Sequence, residues 1–166
     1  MNQSYEWLSK KHREGLFSAI SAGFFFLLVG VIFITTPNLF ERIIDLFRDW
    51  SRNIIRVPNT EIFLPAPTRT HPVVYIALEK FSYVWGVFQV AMLGIRLAVG
   101  SPWSKNAETA SNIISWIGTG FLIRRWLIET TRFTATTSWF VFWSAIIMLL
   151  GASLIVRAIF LAAAYT

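Results

Sequence analysis

Four stretches without a charged residue, 15–40, 81–95, 109–123 and 133–156, divide the chain, and each is dense in Phe, Leu, Ile, Val and Trp. Lipid offers no partner to a backbone N–H or C=O, so a run of about 20 apolar residues crosses a bilayer as a helix that satisfies its own backbone. The pattern predicts an all-α integral membrane protein with four transmembrane helices, over about 16–35, 73–98, 107–128 and 138–164, in a single membrane domain of residues 1–166. The charge-free centres of the second and third spans are fifteen residues each, which makes a re-entrant hairpin the competing architecture. Flanking Lys and Arg that snorkel towards water favour full crossing.

Between the first two spans the pattern changes. Across 38–56, Leu39, Phe40, Ile43, Ile44, Leu46, Phe47, Trp50, Ile54 and Ile55 recur at helical spacing, and Glu41, Arg42, Asp45, Arg48, Asp49, Arg52 and Asn53 take the opposite face. This predicts an in-plane amphipathic helix that buries Phe40, Ile43, Phe47, Trp50 and Ile54 in the acyl boundary. Docking on a protein partner, or folding over the bundle, is the alternative. Asn38 followed by Glu41 reads as a capping-box start. Pro58, Pro65, Pro67 and Pro72 then prohibit a helix over 57–72 and predict an extended loop.

A short connection through Gly100, Pro102 and Trp103 makes the second and third spans antiparallel neighbours. Aligning their centres places Glu79 and Lys80 level with Arg124 and Arg125, and Arg96 level with Glu108. Opposite charges would lower the cost of ionised groups close to lipid. Arg157, two turns before the end of the last span, either snorkels to the surface or joins Glu108. Small residues mark expected helix contacts: Ala19 with Gly23, then Ser111, Ser115 and Thr119 with Gly118, and Gly151. The hydroxyl stripe is read as packing, with a hydrophilic path as its functional alternative.

Composition narrows the class further. Of 166 residues 55% are hydrophobic and 14% charged, too apolar for an ordinary soluble chain. The net charge of +6 comes from Lys and Arg set beside the apolar runs, as expected for residues that meet lipid headgroups and not nucleic acid. The first run follows Lys10, Lys11, His12 and Arg13, but it is too long for a signal-peptide core and is read as a retained helix, preceded by a short helical lead from Ser4. The summed basic residues put both termini on the outer side, although the cluster before the first span opposes this.

No cysteine is present, which excludes disulfides and thiolate chemistry. His12 and His71 fall on opposite sides of a four-span arrangement, so neither a metal nor any other cofactor is expected. No phosphate loop or hydrolase motif occurs. The sequence thus favours a non-enzymatic accessory subunit or self-associating scaffold, partnered by membrane lipids and by copies of itself or other membrane subunits. A small oligomeric channel or transporter using Glu79, Arg124 and Arg125 is the second reading, and a lipid-handling enzyme with Glu79 as acid or base the third.

Overall fold

The fold is taken from a computed structural model that describes residues 3–130 and 135–163, with side chains from Glu14 onward. Five α-helices account for most of it: α1 (Gln3–Thr35), α2 (Leu39–Arg52), α3 (Pro72–Ala98), α4 (Trp103–Ile123) and α5 (Ala135–Ala163). A single π-helical turn, Arg124–Ile128, extends α4 and closes with Glu129 N–H donating to the Arg124 carbonyl at 3.0 Å. Between α2 and α3 a hairpin pairs β1 (Ile54–Arg56) antiparallel with β2 (Phe63–Pro65), in the register Ile54 to Pro65, Ile55 to Leu64 and Arg56 to Phe63.

The long helices form an arc in the order α1, α3, α4, α5. Glycine sets how closely its inner members approach. A Cβ on Gly86 of α3 would lie 2.6 Å from Ile117 Cγ1 of α4, and one on Gly120 would meet the Tyr83 ring at 3.0 Å. On the other side of α4, Gly118 leaves room for Leu149 of α5. α1 reaches α3 through aromatic rings instead: Phe24 stacks on Phe88 at 4.1 Å, and Phe25 meets Phe81 and Trp85 edge-on, each at 5.6 Å. Such pairs add roughly 0.5–1.5 kcal/mol each beyond the area they cover. α2 lies against the N-terminal half of α3, where Leu39, Val74 and Ala77 are buried with Ile32, Ile43 and Leu46 packed around them.

Three helical segments are long and apolar enough to cross a membrane: Glu14–Thr35, Pro72–Ala98 and Ala135–Ala163. Within the protein only 11% of the most apolar stretch of the first is buried, 28% of the second and 6% of the third. α4 falls short of that standard although a span was predicted there. The cause is its polar content, and much of that content is turned inward, since Asn106, Thr109 and Ser111 are all buried.

Local boundaries also differ from expectation. The helix predicted over 38–56 stops at Arg52, because Asn53 turns to extended backbone and its side-chain N–H donates to the Asp49 carbonyl at 2.7 Å, while β-branched Ile54 and Ile55 enter the hairpin. The expected loop over 57–72 therefore contains a strand. Asn38 makes no capping bond and adopts a left-handed conformation with φ 55°, a turn residue rather than half of a capping box. α4 starts four residues before the predicted 107, directly after Pro102. The Thr-rich link expected over 129–137 is already helical from Ala135, three residues before the predicted start of the last span; residues 131–134, with Arg132, and the predicted end at Ala164 lie outside the described residues, as do the side chains of the basic cluster before α1.

Close approach at Gly86 predicts that Gly86→Ala destabilises the protein by about 1–3 kcal/mol through overpacking on Ile117. Gly23 has nothing within 4 Å of its Cβ direction, so Gly23→Ala should leave stability unchanged or raise it by roughly 0.5–1 kcal/mol. Thermal unfolding of both variants in the same detergent checks the contrast.

Candidate functional site

The concave side of the arc encloses an apolar groove of about 820 Å³. α1 and α5 form its two walls through Val29, Phe33, Phe142 and Ile146, while α3 and α4 form the floor. α2 closes the end nearest the hairpin with Leu39, Ile43 and Leu46. Ser82, Asn112, Ser115 and Thr119 add hydroxyl and amide groups to an otherwise apolar surface. Ser82 and Ser115 each donate to the carbonyl four residues earlier in their own helices, at 2.8 and 3.1 Å. Such bonds leave a small, nearly apolar surface facing the groove.

Asp49 organises the rim beside α2. Its carboxylate accepts from the Thr68 N–H at 3.0 Å, the Thr68 hydroxyl at 2.7 Å, the Arg69 N–H at 3.0 Å and the Asn53 side chain at 2.8 Å. His71 Nε2 completes the set at 3.0 Å, and because the carboxylate can only accept, that nitrogen carries the proton. Burial raises the Asp49 carboxyl, but the hydrogen bonds from His71, Thr68 and Arg69, with the charge on His71, outweigh it and hold the group below its ordinary 3.8. The hub joins the last turn of α2 to the start of α3 across the hairpin. Trp50 adds a parallel tie, its indole N–H donating to the Pro65 carbonyl at 2.9 Å.

The opposite end of the arc is fastened by Glu14. One carboxylate oxygen lies 3.4 Å from Arg96 Nη2 and the other accepts from the Ser101 hydroxyl at 2.8 Å. Arg96 also donates to the Lys105 carbonyl at 3.4 Å and rests over the Phe17 ring at 5.6 Å, so one guanidinium joins α1, α3 and α4.

These contacts rearrange the expected charge pairs. Glu79 meets Arg124 at 3.4 Å as the antiparallel alignment required. Arg125 turns instead to Glu129 at 3.4 Å, a neighbour along the π turn and beyond it. The Arg96 to Glu108 pair does not form: Arg96 is held by Glu14, and Glu108 takes Lys105 at 2.9 Å one turn earlier on its own helix. Arg157 makes no ion pair among the described residues, but it lies close enough to Glu108 to act on it electrostatically. Lys80 is exposed and unpaired among the described residues.

The hydroxyl stripe of α4 divides. Ser111 donates to the Ser153 carbonyl of α5 at 2.9 Å, whereas Ser115 and Thr119 face the groove. Gly118 abuts α5 as well, but Ala19, Gly23 and Gly151 are exposed, the two glycines with open space around them. On α2, Phe40 and Phe47 are exposed and so is Ile54 just beyond it, while Trp50 keeps 37% of its surface exposed and Ile43 turns into the groove.

Asp49, Glu14 and Asn112 were not singled out from the sequence. Asp49 reads there as one acid on a solvated face and Glu14 as the edge of a charge-free run. The local clue to Asp49 was Thr68–His71, a cluster of donors next to prolines that block regular pairing. Among the described residues no group of three His, Asp or Glu side chains is placed to hold a metal ion. No protein-family model, curated protein or solved structure matches the chain.

Replacing Asp49 by Ala removes the acceptor of five donors. Amide hydrogen exchange at Thr68 and Arg69 should then accelerate by roughly 30-fold, the equivalent of about 2 kcal/mol for hydrogen bonds to a charged acceptor. The same protection has a pH signature in the wild type. A carboxyl whose folded value is depressed stabilises fully above the unfolded value and loses its contribution as pH falls through the folded one. Protection at these amides should therefore persist down to about pH 3.8 and disappear below it.

Proposed function

We propose that the chain is a four-span, non-enzymatic membrane protein that serves as an accessory subunit or self-associating scaffold, with α2 lying at the membrane surface. One observation carries the reading. The apolar helices α1 and α5 bury only 11% and 6% of their most apolar stretches within the protein, so most of that surface must be covered by lipid or by other helices. Gly23 and Gly151 lie on these uncovered helices with open space at their Cβ positions, where another helix backbone could approach closely.

α4 crosses with the others because part of its polar content is covered by protein. Asn106, Thr109 and Ser111 are buried, and the Ser111 bond to α5 joins two helices where lipid offers no competing partner. Phe40 and Phe47 on the exposed side of α2 would then rest at the acyl boundary, with Arg42, Arg48 and Arg52 at headgroup level.

In a mild detergent, native mass measurement should find the chain in a particle of more than one subunit, either copies of itself or a second polypeptide at fixed stoichiometry. Gly23→Leu and Gly151→Leu should each lower that association at least fivefold, and Val87→Leu, on an exposed position of α3, should not. A monodisperse single chain for wild type and variants alike would contradict the reading.

A further inference from the structure

We infer that the groove holds the acyl chains of a phospholipid drawn from the leaflet on the α2 side, with its phosphate among the basic residues of that end. The inference rests on the four-span reading and adds an occupant. Depth is the first argument. The groove starts at Leu39, Val74 and Leu127, beside the hairpin end, and its far limit is set by Phe25, Ser82 and Asn112, near the middle of their helices. At 1.5 Å per residue it runs about 12 Å along α3 and about 22 Å along α4. One leaflet of hydrocarbon is about 15 Å deep, half of a core of about 30 Å. These two lengths bracket the depth of one leaflet.

The lining favours a lipid over a helix. Eight of the twenty-four lining residues are aromatic and none is glycine, so the walls hold a second backbone away rather than admitting it. Flexible chains adapt to such irregular walls, and own-helix bonds at Ser82 and Ser115 already satisfy those floor hydroxyls.

Charge distinguishes the two ends. Arg42, Arg48, Arg52 and Lys80 belong to the α2 end of the arc, and none has a carboxylate partner among the described residues. A phosphate placed there complements them, although Glu41 and Asp45 share the polar face of α2, whereas the far end of the groove contains no ionisable side chain.

The test uses the wild-type chain in vesicles of phosphatidylethanolamine and phosphatidylglycerol that contain a phospholipid with a photoreactive diazirine at one acyl terminus. Labelling should reach Asn112 and Ser115 on the groove floor as well as the outward residues Phe26 and Ile147. Moving the diazirine next to the ester should shift floor labelling towards Leu39 and Val74. Label on Phe26 and Ile147 with none on Asn112 or Ser115 would overturn the inference and leave the membrane reading standing, whereas absence of label everywhere would overturn both. As a second measurement, phospholipid retained after delipidating washes, counted by native mass spectrometry, should fall at least tenfold in Ser115→Trp and stay unchanged in Val87→Trp. Equal retention in both variants would count against the groove.

Discussion

The architecture depends on how α4 is surrounded. Asn106, Thr109 and Ser111 would make this helix costly to expose to acyl chains, since an unsatisfied polar group in hydrocarbon costs several kcal/mol. The fold answers by placing α3 and α5 on its two sides. Glycines at 86, 118 and 120 permit the close approach, and Ser111 bonds across to Ser153. If the layer lies within a bilayer, hydrophobic burial does not drive this association, because lipid tails are as apolar as leucine, and packing and hydrogen bonding would hold it.

Polar clasps at the two ends convert that three-helix layer into an arc. Glu14 on Arg96 and Ser101 anchors the start of α1's apolar run, and the Asp49 hub fixes α2 across the beginning of α3. Between them α1 touches α3 chiefly through rings. A wall fastened at its ends and supported by aromatic contacts leaves space on the concave side, which is why the groove exists. The Glu79 to Arg124 pair lies towards the hairpin end of the same helices, near that space.

Much of this was legible in the hydrophobic pattern. The hydrophobic pattern located the apolar spans in α1, α3 and α5 to within a few residues, and it marked one apolar face on α2 that was expected in the acyl boundary, whereas the structure turns Leu39, Ile43 and Leu46 of that face onto the bundle. The antiparallel alignment of α3 and α4 brought Glu79 to Arg124. It failed for Arg96 because pairwise alignment ignores a third helix: Glu14, more than 80 residues away in sequence, is level with Arg96 only once α1 packs on α3. Asp49 escaped for a related reason. Periodicity assigns a charge to a face but says nothing of the loop that folds back over it, and the donors at Thr68, Arg69 and His71 come from such a loop. Small residues were ambiguous in the same way, since Gly118 and Gly151 look alike in sequence and only the first meets a neighbour.

Topology across α4 is the most direct measure of the account. The chain has no native cysteine, so single cysteines at Ser104 and Glu129 bracket the helix without background. In sealed vesicles of uniform orientation, a membrane-impermeant maleimide should label one of the two from outside and the other only after permeabilisation. If both react from the same face, or if position 104 is reached from neither, α4 does not cross and the shielded-helix account is wrong.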